Sequence, residues 1–200
     1  MTEDEIRQQL VTFSRRAYQR RLVGGTGGNF SARLPGSRML VTASGLSLGD
    51  TNENNLITVD IETGEWQPIE GLIPSKEHKF HMDILRLRPE VGAVLHVHPP
   101  HATAYAVAKR DIPMLTDSAF KQPPIPRVAF APSGTEELRQ NVAAAIRDNP
   151  GCRCLLLELH GMIALGSDIT AAYNQADLIE ELATIAWMAN CGTIPKKIGT

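Results

Sequence analysis

The apolar run Val91-Gly92-Ala93-Val94-Leu95-His96-Val97-His98, closed by Pro99-Pro100, is the segment that leaves this chain least freedom. A short continuous apolar run bounded by turn residues reads as a buried strand, which needs cover on both faces. Side chains on a strand alternate with a period of two, so His96 and His98 project from the same face. Two adjacent imidazoles at a strand end suit chelation of a cation. A third, His160, follows the apolar strand expected over Cys154 to Leu159, and Gly161 beside it permits a bend or a close backbone approach.

The remaining pattern supplies the cover. Ile6, Leu10, Phe13 and Ala17 recur at helical spacing behind a Thr2-x-x-Glu5 capping box, which predicts an amphipathic helix over 3–22. The glycine-rich stretch Gly24 to Asn29 breaks it, and Phe30–Leu34 and Met39–Thr42 form a hairpin about Pro35-Gly36. Further strands are expected over 55–60, 65–69, 128–130 and 162–165, and helices over 75–87, 100–108, 134–147 and 168–190. Strands joined partly by hairpins and partly by helices predict a mainly antiparallel sheet covered by helices.

The chain has 200 residues, 42% of them hydrophobic and 21% charged, and reads as one domain over 1–200, since domains commonly run to roughly 100–200 residues. A chain of that size buries about 70% of its unfolded surface and needs no structural metal, so a metal would be functional. The net charge of -2, without a dense basic run, predicts no nucleic-acid partner. An acidic N-terminus and the lack of an apolar stretch of about 18 residues predict a cytoplasmic protein with no membrane partner. Cys152, Cys154 and Cys191 have no zinc-finger spacing and are odd in number, so Cys152 and Cys154 read as core packing.

A catalytic zinc site keeps three protein ligands and an open position. His96, His98 and His160 would suffice. Glu77 and His81, at i and i+4, lie on one helical face, and periodicity allows either as a further ligand. His78 shares that helix, and His101, beyond Pro99-Pro100, could orient a ligand from behind.

Four motifs, Gly25-Thr26-Gly27-Gly28-Asn29-Phe30-Ser31, Pro74-Ser75-Lys76-Glu77, His96-Val97-His98-Pro99-Pro100-His101-Ala102 and Leu159-His160-Gly161-Met162-Ile163-Ala164, together resemble the class II aldolase/adducin family over about residues 5 to 190. The resemblance implies an α/β fold, a three-layer α/β/α sandwich, in a homotetramer with active sites between subunits. It implies Zn2+, or another divalent cation such as Mn2+ or Co2+, held by Glu77, His96, His98 and His160, and so decides for Glu77 over His81. Glu77 would double as the catalytic acid/base. A phosphate pocket is implied at Thr26, Gly28, Asn29, Ser44, Gly45, Ser75 and Lys76, where backbone N–H groups converge on the anion.

The implied activity is a lyase that cleaves a C–C bond of a phosphorylated ketose or sugar-acid derivative through a metal-stabilised enediolate. Two features depart from the aldolase pattern. Lys76 stands where aldolases usually have serine, and resembles members that decarboxylate 3-oxo-sugar-acid phosphates. The usual proton-donating tyrosines are missing, which leaves Asp117 or Lys121 as candidate donors. Epimerase or dehydratase activity and a non-enzymatic adducin-like interaction role are the weaker readings; the intact ligand set argues against the last.

Overall fold

In the computed structural model the chain is described over residues 1–191. The tail Lys196-Lys197-Ile198-Gly199-Thr200, expected to be mobile or caught at a subunit contact, lies outside the described residues. One sheet holds β1 (Asn29–Leu34), β2 (Arg38–Thr42), β3 (Leu56–Asp60), β4 (Ala93–Val97), β5 (Arg127–Val128), β6 (Cys154–Leu157) and β7 (Gly161–Gly166). Their order is β3-β2-β1-β4-β7-β6-β5, antiparallel at every pairing but β5 with β6.

Helices α1 (Glu3–Gln19), α3 (Pro100–Val107) and α6 (Ile169–Cys191) cover one face, while α2 (His78–Leu87) and α5 (Glu136–Asp148) cover the other. The three-layer α/β/α sandwich is therefore present. Strand β4 shows why both layers are needed: Ala93, Leu95 and Val97 enter the first core and Val94 the second. Each fully buried Val or Leu gains roughly 1.5–3 kcal/mol over leaving it in water. Cys152 and Cys154 are buried free thiols, as packing residues should be. Among the described residues no helix is long and apolar enough to cross a membrane.

The capping box opens α1: the Thr2 hydroxyl accepts from the Glu5 N–H and the Glu5 carboxylate from the Thr2 N–H. The helix stops at Gln19, short of 22, and Arg21 turns left-handed at φ 58°. The strand expected over 65–69 is reduced to single bridges, Val59 with Trp66 and Ile69 with Leu72. Pro68 lacks the N–H that a longer ladder would need. Strand β6 ends at Leu157, because Leu159 takes φ 57° in the turn to β7. Strand β5 is two residues long, with Phe130 outside it and exposed. Helix α2 begins at His78, with Glu77 as its N-cap, and the four-residue α4 (Asp117–Phe120) has no counterpart in the sequence reading.

Candidate active site

Strand register brings three histidines together. Asn29 pairs with His96 across β1 and β4, and Val97 pairs with Met162 across β4 and β7, so His98 emerges beside the β6–β7 turn that carries His160. The ring centroids of His96 lie 4.7 Å from those of both His98 and His160. One nitrogen from each ring falls within 4.8 Å of the others, an arrangement that can hold a metal ion.

Two glycines let the chain close on this cluster. A Cβ on Gly161 would lie 2.5 Å from His98 Cδ2 and 2.6 Å from the Val97 carbonyl oxygen, so the close approach anticipated at this position is real. Gly28 sits at φ +73°, and a Cβ there would meet the His96 carbonyl at 2.9 Å. The glycine loop is thereby laid directly against the strand that bears His96 and His98.

Glu77 lies against the cluster. Its backbone, at φ -98° and ψ 1°, lies in the sparsely populated bridge region where active-site residues often sit. Oε2 is 3.4 Å from His96 Nε2 and Oε1 is 3.5 Å from His160 Nε2. Asn29 Nδ2 donates to Oε2 at 2.9 Å and the Ser133 hydroxyl donates to Oε1 at 2.8 Å. The Glu77 N–H donates to Ser75 Oγ at 3.3 Å, which fixes the turn into α2.

Thr26, Gly28, Asn29, Ser44, Gly45, Ser75 and Lys76 all line one cavity of about 270 Å³ that Glu77, His98 and His160 also border. Ser133 borders it too and was not foreseen from the sequence. The Pro132-Ser133-Gly134 turn announces a loop, but nothing in its pattern ties the serine to Glu77. Asn29 is engaged on both sides of its amide, with Oδ1 facing His81 and Nδ2 facing Glu77.

Other candidates fall elsewhere. His81 is fully buried between Ser31 and Asn29 and is not part of the three-histidine cluster. His78 bonds the Ser75 carbonyl through Nδ1. His101 does not back a ligand: its Nδ1 meets Glu180 at 2.8 Å and Thr184 at 3.0 Å, bracing α3 against α6. Asp117, which opens α4, and Lys121, its C-cap, form an exposed ion pair, and neither borders the cavity.

Burial works against charge on Glu77, but the facing His96, the Ser133 hydroxyl, the Asn29 amide and His160 together hold its pKa below the usual carboxylate range. It is an anion at neutral pH. Burial lowers the pKa of His96, His98 and His160, and pushes His81 down to about 3. Neutral imidazoles are the form that binds metals. His96 Nδ1 lies 2.9 Å from the Met162 carbonyl and must donate to it, which leaves the Nε2 lone pair aimed at His98 Nε2, 3.0 Å away. Imidazole lone pairs converging beside a carboxylate, with His96 braced from behind by a carbonyl, fit a zinc-type donor set.

The model for the class II aldolase and adducin N-terminal domain matches residues 8–187. The chain belongs to this family. A class II aldolase/adducin relative from Rhodospirillum rubrum, 5-methylthioribulose-1-phosphate/5-deoxyribulose-1-phosphate aldolase, is 39% identical over 186 residues, 91% of this chain and 80% of the relative. The L-fuculose phosphate aldolase of Escherichia coli is 31% identical over 187 residues, 92% and 84% of the two chains. A solved L-fuculose 1-phosphate aldolase matches the fold with a TM-score of 0.88 at 26% identity, covering 100% of this chain and 92% of that one. The family supports a carbon–carbon lyase acting on a phosphorylated small molecule.

Proposed function

We propose that this chain is a metal-dependent aldolase that cleaves a C–C bond of a phosphorylated ketose or sugar-acid derivative, with Glu77, His96, His98 and His160 as metal ligands. The observation that carries the reading is one cavity of about 270 Å³ whose wall joins Glu77, His98 and His160 to the glycine loop. Relatives named as a methylthioribulose-1-phosphate aldolase and a fuculose phosphate aldolase support the substrate class. Zinc suits the donors best, with Mn2+ or Co2+ as substitutes.

A divalent cation bound there supplies Lewis acidity that stabilises negative charge developing on the substrate. The phosphate is held by Thr26, Gly28, Asn29, Ser44, Gly45, Ser75 and Lys76, so that the reacting carbons reach the Glu77 end of the cavity. Glu77 moves protons between substrate oxygen and carbon, which typically contributes about 10²–10⁴-fold. With Asp117 and Lys121 outside the cavity, proton transfer within one chain falls to Glu77. A cytoplasmic homotetramer belongs to the same reading; the exposed Phe120, Trp187 and Met188 are side chains that a neighbouring subunit would cover.

Lys76 favours a second reading. Its exposed side chain borders the cavity that His160 also lines, so its ammonium can hold a substrate carboxylate as readily as a phosphate. That suits decarboxylation of a 3-oxo-sugar-acid phosphate. Incubation of the metal-loaded protein with ketose 1-phosphates and 3-oxo-acid phosphates, with aldehyde and carbon dioxide followed separately, separates the two. Aldehyde from a ketose 1-phosphate is the expected product; carbon dioxide without aldehyde would sink the aldolase reading.

A further inference from the structure

We infer that His81 is a positioning residue which, pinned by Ser31, sets the orientation of the Asn29 amide that holds Glu77; the inference rests on Glu77 acting as proposed above. Asn29 and Ser31 stand two apart on β1, so both point to the α2 side of the sheet. His81 comes down from α2 and spans them: Ser31 Oγ lies 2.7 Å from Nδ1, and Nε2 lies 2.5 Å from Asn29 Oδ1. Ser31 and His81 are wholly buried, and Asn29 and Glu77 are 3% and 5% exposed.

The directions follow from the carboxylate end. Glu77 is an acceptor, so the Asn29 atom 2.9 Å from Oε2 must be Nδ2, and Oδ1 then faces His81. A reversed amide would set one acceptor against another in a buried site. Oδ1 therefore requires a proton on His81 Nε2, which leaves Nδ1 bare to accept from the Ser31 hydroxyl. Only the tautomer with its proton on Nε2 satisfies the Asn29 contact; the Asn29 carbonyl selects it, and the Ser31 hydroxyl, able to donate or accept, donates to the bare Nδ1 and holds the ring in place. Glu77 is aimed between His96 and His160 by a relay that begins two residues along β1.

Three variants test this: H81L, which removes both ring contacts, H81Q, whose amide can donate to Asn29 and accept from Ser31, and S31A. The readouts are the His81 ring tautomer by 15N NMR of chelator-treated protein, zinc affinity by competition with a chromogenic chelator, and turnover. The unaltered ring should carry its proton on Nε2, and S31A, which leaves the Asn29 carbonyl in place, should keep that tautomer while freeing the ring from its Nδ1 partner. H81L should lose about 10–100-fold in zinc affinity or turnover, the usual cost of removing support behind a ligand, and H81Q should recover most of it. A proton found on Nδ1, or a folded H81L whose zinc affinity and turnover stay within twofold of the unaltered protein, overturns the inference. Where H81L fails to fold, S31A decides: zinc affinity and turnover both within twofold of the unaltered protein overturn it. Full turnover in Glu77→Gln would remove Glu77 from proton transfer, yet the tautomer and the zinc-affinity gap between H81L and H81Q would still report on positioning.

Discussion

Gly161→Ala adds a single methyl where there is no room for one. Its Cβ would stand 2.5 Å from His98 Cδ2, 2.6 Å from the Val97 carbonyl oxygen and 3.4 Å from His98 Cα. Carbon atoms rest at about 3.5–4.0 Å, so relief demands a displacement of about 1 Å. The neighbours are the ring and backbone of a proposed ligand, and Val97 is held in the β4–β7 ladder, so the movement falls on His98 itself. Overpacking of this kind costs about 1–3 kcal/mol. For a chain of 200 residues that corresponds to a Tm drop of about 2–12 °C. A displacement of about 1 Å at a site can cost on the order of 100-fold in rate. Zinc affinity, turnover and thermal unfolding should be measured beside Gly151→Ala, whose Cβ would meet nothing within 4 Å. Gly161→Ala should weaken zinc binding and turnover well beyond its thermal penalty, while Gly151→Ala leaves both alone. Unaltered zinc affinity and turnover in Gly161→Ala would refute the claim that this glycine sets the position of His98.

Ser133→Ala removes a donor to an ionised carboxylate, a bond worth about 1.5–3 kcal/mol, and should lower turnover about 10–100-fold; steady-state kinetics showing no loss would remove Ser133 from the site. Asp83 accepts from Arg139 Nε at 2.6 Å and Nη2 at 3.0 Å and from Arg86 Nη1 at 3.0 Å, tying α2 to α5. Asp83→Ala should therefore destabilise the fold by about 1–3 kcal/mol, read as a lower urea midpoint, with turnover below the transition preserved; an unchanged midpoint would show the tie to be idle. Burial raises the pKa of both Cys152 and Cys154, so at pH 8 less of each is thiolate than for a free cysteine. In a Cys191→Ser background an aromatic disulfide reagent should release no colour from native protein and two equivalents in denaturant; rapid native labelling would contradict the burial of these thiols.

The His-x-His pair was legible because strand alternation with a period of two is strict, and His160 because its strand ends beside a glycine. The choice between Glu77 and His81 was not legible in the periodicity and rested on the family resemblance alone. Their i, i+4 spacing places both on one face only if both are helical, and Glu77 is the cap, outside the helical phase. Its carboxylate turns to the histidine cluster, while His81, inside the helix, turns to Ser31 and Asn29. Ser133 was invisible because loops carry no periodicity, and its contact with Glu77 spans 56 residues of sequence. The 65–69 strand failed on Pro68, whose missing N–H outweighs the alternation around it. Asp117 and Lys121 were candidates by their place after Ile112-Pro113; the structure puts them on an exposed short helix, paired with each other.

Metal content and turnover titrated together test the central claim most directly. Protein stripped by a chelator should be inactive toward a ketose 1-phosphate, regain aldehyde release in proportion to added zinc, and reach a plateau at one ion per subunit. His98→Ala should stay flat through the same titration. Full turnover in the stripped protein, or a plateau unaffected by His98→Ala, would contradict a metal-dependent centre built on these residues.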